Sequence, residues 1–398
     1  MLGVCWSDFP AIGLRRLEVQ VSSVEPVATD WRARLKAEWM LLLFGTLAIT
    51  LAMLDPQPLA SYRRWLQLPT VAGLLGLLIA IQGIRDSGLV QHAAAALAAR
   101  MHSVRTLGLL LVAATALLSM LLTNDVSLFL IVPMTVALGG VSNLPLVRMV
   151  VLEALAVNAG STLSPIGNPQ NLLLWQVAHV SFLRFAAAML PTATIMLLLL
   201  LALTWWWLPR THIDLDRTSM QHHERSVPLA AFSASALLAM VLLMEFGHAQ
   251  AGAGLMILAF GLLSWRSVVG IDWLLLITFA AIFLSLGHVA DLPLVREALA
   301  RLDFSRPATV YASGIVGAQL ISNVPATVLL LDRAPDPLAL AIAVNVGGFG
   351  LASGSLANLI ALRLAGQAGG LRRFHRVSIP FLLICAPLVY GYWLWTHG

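Results

Sequence analysis

Asn158-Ala159-Gly160-Ser161-Thr162-Leu163-Ser164-Pro165-Ile166-Gly167-Asn168-Pro169-Gln170-Asn171 and Asn345-Val346-Gly347-Gly348-Phe349-Gly350-Leu351-Ala352-Ser353-Gly354-Ser355-Leu356-Ala357-Asn358 align without a gap, 187 residues apart (158 to 345). Asn158 matches Asn345, Gly160 matches Gly347, Gly167 matches Gly354, and Asn171 matches Asn358. Each stretch interrupts an apolar run with residues that stop and restart helices. Each also follows a second kind of break: residues 104–141 are two apolar runs split by Thr123-Asn124-Asp125, and 307–332 are two shorter runs split by Ser322-Asn323. Runs this short read as the arms of a re-entrant hairpin whose tip lies deep in the protein, because irregular backbone at membrane depth survives only where it is buried or lines a cavity.

Working outward, the rest of the chain fits a bilayer. Of its 398 residues, 59% are hydrophobic and 11% charged, against about 45–50% and about 25% in soluble domains. Apolar runs at 39–55, 68–84, 183–208, 228–246, 250–265, 271–289 and 377–397 approach the ~20 residues that cross a ~30 Å core. The expected fold is an all-α polytopic membrane protein of two inverted repeats, each with a re-entrant helical hairpin and a broken transmembrane helix. The expected division is a poorly ordered cytoplasmic tail at 1–36, a first repeat at 37–208, a cytoplasmic linker at 209–226 and a second repeat at 227–398.

The net charge of +5 does not point to nucleic acid, since Lys36 is the one lysine and the arginines sit in short loops, as topology determinants do. With the N-terminus inside, each hairpin returning to its own side and each broken helix crossing once, 17 Lys/Arg fall inside and 7 outside. The unpaired span at 228–246 inverts the second repeat, and the C-terminus falls outside. This predicts a multi-pass inner-membrane protein.

Discontinuous helices in inverted repeats place a binding site near the midplane. Their N-terminal ends offer free N–H groups and partial positive charge to an anion, and their C-terminal ends offer carbonyls to a cation. Asn168-Pro169 reads as an N-cap followed by Pro at the first helical position, with Ser355 as its counterpart. Gly160 and Gly347-Gly348 read as stops of the preceding half-helices, and Thr123 and Ser322 as caps of the second hairpin arms. The candidate ion- or substrate-binding residues are therefore Thr123, Asn124, Asp125, Asn158, Gly160, Ser161, Thr162, Gly167, Asn168, Asn171, Ser322, Asn323, Asn345, Gly347, Gly348, Gly354, Ser355 and Asn358.

Asp125 stands out, because an intramembrane acid is costly. It binds Na⁺, carries a proton, does both in turn, or merely complements the positive end of the second arm. Glu153 is either a second proton site or the partner of Arg148 or another arginine near the cytoplasmic face. Glu245, Asp272 and Asp332 lie near span ends and read as solvated. Trp205-Trp206-Trp207 reads as an interfacial anchor, and His222-His223 as a solvated loop. Cys5 and Cys385 stand in no metal or redox spacing. No catalytic motif, metal site or cofactor is expected beyond a coupling Na⁺ or H⁺.

At these residues the chain resembles the ion transporter superfamily, which includes arsenite permeases, citrate and dicarboxylate carriers, and sodium–proton antiporters. Leu122-Thr123-Asn124-Asp125 with Pro133 is similar to the Asn-Asp…Pro motif of the arsenite permeases and antiporters. Ser322-Asn323-Val324-Pro325-Ala326-Thr327 is similar to their second-half Asn-x-Pro-x-Thr segment. Ser161 to Asn171 resembles the Gly-rich loop of the citrate and dicarboxylate carriers. The resemblance spans about residues 37 to 398 and implies an elevator-like or rocking carrier, often dimeric, with cation sites at the tips. The dicarboxylate carriers have Ser-Asn-Thr at both tips, whereas this chain has Thr-Asn-Asp and Ser-Asn-Val.

The expectation is secondary transport of a small anion coupled to H⁺ or Na⁺, with Na⁺/H⁺ antiport as the alternative. A channel is disfavoured by the inverted pseudo-symmetry. An intramembrane enzyme is disfavoured by the lack of His-Glu-x-x-His and Gly-x-Ser-x-Gly patterns.

Overall fold

The computed structural model describes residues 39–89, 103–140, 144–213, 226–366 and 370–397. The expected tail and His222-His223 lie outside the described residues, as does most of the linker. All regular elements described are helical. The first half contains α1 (Trp39–Leu54), α2 (Leu59–Leu66), α3 (Leu68–Asp86), α4 (Val104–Leu121), α5 (Asn124–Gly140), α6 (Leu146–Ser161), α7 (Pro169–Ala178) and α8 (Phe182–Trp207). The second half contains α9 (Val227–Glu245), α10 (Ala249–Leu263), α11 (Trp265–Val269), α12 (Trp273–Asp291), α13 (Pro293–Ala300), α14 (Pro307–Ile321), α15 (Asn323–Leu330), α16 (Pro337–Val346), α17 (Leu356–Ala365) and α18 (Gly370–His397). Among the described residues, six helices are long and apolar enough to cross a membrane. The chain is thus an all-α polytopic membrane protein.

Hairpin, broken helix and long helix follow one another twice: α4–α8 and α14–α18. The first arm of hairpin one departs from expectation. At 18 residues, α4 is long enough to span, yet the chain turns back at Leu122-Thr123. The second hairpin is lopsided, with a 15-residue arm followed by an 8-residue one.

Outside the hairpins, α12 packs along α1 and α2, while α3 packs against α9 and α10. A polar clasp fixes one end of α12. Trp65 of α2 stacks on His288 with ring centroids 4.7 Å apart, His288 Nε2 and Asp55 Oδ2 share a hydrogen bond at 3.0 Å, and Trp65 Nε1 donates to Asp291. Position 287 is glycine because a Cβ there would lie 2.6 Å from the Trp65 ring. The clasp holds the helix whose middle forms one wall of the site below.

Candidate functional site

Both breaks are built from buried asparagines. Asn168 caps α7: its Oδ1 accepts from Asn171 N at 2.8 Å, and Pro169 occupies the first helical position. The two breaks then bind each other. Asn158 Nδ2 donates to Asn358 Oδ1 at 2.8 Å, and Asn345 Nδ2 donates to Asn171 Oδ1 at 2.6 Å. In the aligned numbering these are one bond seen from both sides, since Asn158 matches Asn345 and Asn358 matches Asn171. Two supporting bonds repeat as well. Asn158 and Asn345 each donate to the carbonyl four residues back, and Asn171 and Asn358 donate to the matched carbonyls of Ser161 and Gly348. The exchange between the two breaks is thus reciprocal, residue for matched residue.

Each hairpin is pressed against its break through a glycine. A Cβ on Gly160 would lie 2.2 Å from Ala116 O, and one on Gly347 would lie 2.6 Å from Ala318 Cβ. Gly160 is helical and Gly347 ends α16 in a right-handed conformation. These glycines are therefore close-approach positions rather than left-handed stops. Gly167 and Gly354 are similarly crowded by Ser161 and by the Gly347 carbonyl, and Gly348 lies against the Asn158 side chain.

The tips are buried: Thr123, Asn124 and Asp125 are 3–5% exposed, and Ser322 and Asn323 2–6%. Asn124 N donates to Gly167 O at 2.9 Å, tying the first tip to its break. Asn124 Oδ1 and Asn323 Oδ1 each accept from the following backbone N–H. Ser322 adopts φ +78°, a region a non-glycine residue occupies at a cost of about 1–3 kcal/mol and mostly at functional sites.

The tips and breaks enclose a cavity of about 10 Å³, room for about one water. Asn124 and Asp125 open α5 onto it, Pro169 and Gln170 open α7, Asn323 to Pro325 open α15, and Ser355 and Leu356 open α17. Four helix N-termini thus face one point. Each presents partial positive charge of roughly half an elementary unit. Met40 of α1 and Thr278, Phe279 and Ile282 of α12 complete the wall. Among the described residues, six buried side-chain polar atoms lack a hydrogen-bond partner, and three of them, Thr123 Oγ1, Gln170 Oε1 and Ser355 Oγ, belong to residues lining the cavity or adjoining it in sequence. Buried polar atoms are normally bonded, and half of the exceptions among the described residues pool here. The Asp125 carboxylate makes no hydrogen bond or ion pair with any described residue.

Several expectations need correction. Thr123, Ser322 and Ser355 do not cap: the hydroxyls of Thr123 and Ser355 are unbonded, and that of Ser322 reaches only Asn323 Oδ1 at 3.5 Å. Glu153 does not pair with Arg148. Its Oε1 accepts from Thr135 of α5, and its Oε2 is buried without a partner. Arg148 instead reaches the Trp207 carbonyl and ring. The carbonyls expected to await a cation are bonded to side-chain amides. Asn171 Nδ2 bonds those of Ser161, Thr162 and Ser164, and Gln319 Nε2 those of Gly347 and Phe349.

Of the sequence candidates, Asn124, Asp125, Ser322, Asn323 and Ser355 line the cavity. Asn158, Gly160, Ser161, Thr162, Gly167, Asn168, Asn171, Asn345, Gly347, Gly348, Gly354 and Asn358 form the braced layer around the breaks. Sequence reading passed over Gln170, which sits two residues after Asn168, and Thr278, a lone hydroxyl in an apolar span.

A membrane-embedded helical chain whose hairpin tips and broken helices close on one buried cavity is built as a transporter. It belongs to the citrate transporter family, which it matches over residues 27–337. It is 38% identical to the inner membrane protein YbiR of Escherichia coli over 88% of this chain and 93% of that one. It is 30% identical to an uncharacterized transporter of Methanocaldococcus jannaschii over 89% and 97% of the two chains. A shorter match, 33% identical over 30% of this chain and 25% of the relative, is to the silicon efflux transporter LSI3 of rice, Oryza sativa subsp. japonica. The chain is a membrane transporter, multi-pass and of inner-membrane type.

Proposed function

We propose that the chain moves a small anion across the inner membrane, coupled to H⁺ or Na⁺, and that the cavity is where the anion rests. The convergence of four helix N-termini carries this reading. Together they amount to about two positive charges, and Asp125 supplies one negative charge, by the half-charge rule for helix ends. A balance that stays positive suits an anion accompanied by a cation on Asp125. Ser355, Gln170 and the tip asparagines would supply hydrogen-bond partners to the anion.

The proposal includes inverted repeats, with the N-terminus inside and the C-terminus outside. Contacts between helix ends support that path. Ser226 N donates to Ser87 O at 2.8 Å, Arg148 reaches Trp207 O at 3.3 Å, Phe182 N donates to Glu245 Oε2 at 2.9 Å, and His288 meets Asp55 at 3.0 Å. The path assigns both members of every pair to one face.

A second reading is Na⁺/H⁺ antiport. It is favoured by the unbonded Asp125 carboxylate, which alone would suffice for exchange. Purified protein in sealed liposomes loaded with a pH-sensitive dye separates the two. Proton flux or Na⁺ uptake that requires one member of a panel of small anions is expected. A pH change driven by Na⁺ with no anion present would replace the proposal with the antiporter.

A further inference from the structure

A second and larger concavity shares no lining residue with the first and lies on the flank formed by α8, α18 and the start of α6. It holds about 570 Å³. One end is basic: Arg148, Arg373 and Arg376 line it, from two different helices. None of the three takes part in an ion pair among the described residues, and Arg373 and Arg376 are exposed. Trp206 and Trp207 stand beside them. The other end is apolar, floored by Leu199 and Leu203 of α8 and by Phe381 and Ile384 of α18.

On the path proposed above, α8 ends and α18 begins at the same face, where Arg148 also reaches Trp207 O, so the two sequences order the groove. On α18 the lining residues 373, 376, 377, 380, 381 and 384 share one stripe, at the spacing of a single helix face. From Arg373 to Ile384 that stripe extends about 16 Å at 1.5 Å per residue, close to one leaflet of a ~30 Å hydrocarbon core. Tryptophans mark the level of the headgroups. Guanidinium groups set at that level above an apolar trough match a phosphodiester on an acyl chain, and basic pockets between spans are where anionic headgroups settle.

We propose that this groove binds an anionic phospholipid, its phosphate on Arg148, Arg373 and Arg376 and one acyl chain along Leu203, Phe381 and Ile384. The inference rests on the proposed path of the helices through the membrane and stands whichever ion the carrier moves. A lipid there would bridge the helices that follow the two broken helices, one from each half.

The test is native mass spectrometry of the full purified chain with added phosphatidylglycerol or phosphatidylcholine. Phosphatidylglycerol should be retained preferentially by the unmodified protein. Losing one arginine should weaken it about fivefold, and R373Q/R376Q about 30-fold, from the surface attraction of each basic residue. R373K/R376K should retain most of the binding, and R184Q, an exposed charge at the opposite end of α8, should leave it unchanged. Equal retention of the two lipids by the unmodified protein would overturn the proposal without any variant. So would undiminished phosphatidylglycerol binding by R373Q/R376Q. Displacement of the lipid by inorganic phosphate would reassign the arginines to a soluble anion, and loss of a dimer mass in place of a lipid adduct would reassign the groove to a second copy.

Discussion

Gly160→Ala tests the contact that carries the first hairpin tip to the cavity. Taken as a helix residue, Gly160 should tolerate alanine well: the exchange gains about 0.8–1.0 kcal/mol of helix propensity. The surroundings reverse that sign. The new Cβ would sit 2.2 Å from Ala116 O and 2.6 Å from Ala116 Cα. Both are backbone atoms of α4, so no rotamer change relieves the clash. Overpacking a filled interior costs about 1–3 kcal/mol and more where backbone must move, so a net loss of about 2 kcal/mol is expected. Gly347→Ala meets Ala318 Cβ at 2.6 Å and Ile315 Cα at 3.1 Å, a milder obstruction, and should lose about half as much by the same estimate. Gly45→Ala is the control: it lies in α1 with nothing within 4 Å of the added carbon, and should gain the propensity of up to about 1 kcal/mol. Thermal unfolding of the three variants in one detergent should rank Gly45→Ala above the unmodified protein, then Gly347→Ala, then Gly160→Ala. If Gly160→Ala melts at or above the unmodified protein, the close approach of hairpin and break is wrong.

Asp125→Asn is predicted to insert and melt normally but to lose coupled transport, measured as anion uptake into liposomes under an imposed H⁺ or Na⁺ gradient; full uptake would reduce Asp125 to a helix-end charge. Ser355→Ala removes an unbonded hydroxyl, so it should leave Tm unchanged while weakening anion binding, whereas Asn168→Ala removes a cap and the bonds to Ser161 and Asn345 and should lower Tm by the equivalent of about 1–3 kcal/mol. Identical behaviour of the two variants in melting and titration would contradict the division between cavity and brace. Glu153→Gln retains an acceptor for Thr135 and should fold, yet lose the pH-dependent part of uptake, while Thr135→Val deprives a buried carboxyl oxygen of its donor and should destabilise by about 1–3 kcal/mol. Unaltered pH dependence in Glu153→Gln would confine Glu153 to joining α5 and α6.

The spans were legible because apolar length is a local property: the runs read at 183–208 and 228–246 correspond to α8 and α9 within a residue at each end. The breaks were legible because two copies could be compared, which lifted Asn158, Asn171, Asn345 and Asn358 above ordinary caps. Their bonding was not legible, since alignment pairs Asn158 with Asn345 while the fold bonds each to the other's distant partner. The direction of the tips' chemistry was also hidden. Thr123 and Ser355 look like caps by type, but whether a hydroxyl bends back to its own helix or faces a cavity depends on neighbours hundreds of residues away. Glu153 shows the same limit: Arg148 is near in sequence, but Thr135 is near in space.

Three side-chain bonds join the halves at their centre: Asn158 to Asn358, Asn171 to Asn345 and Asn168 to Asn345. Pulling the halves apart would strand amides in an apolar interior, at about 1–3 kcal/mol for each group left unpaired. The α12 wall is different. Thr278 turns its hydroxyl to Leu274 O at 2.7 Å within its own helix, and among the described residues no hydrogen bond links α12 to either tip. The cavity therefore has one weak seam and one locked seam. Opening along the weak one would leave the two broken helices and their hairpins travelling together as a single block, with the cavity carried in its face past a stationary rail of α1, α3 and α12.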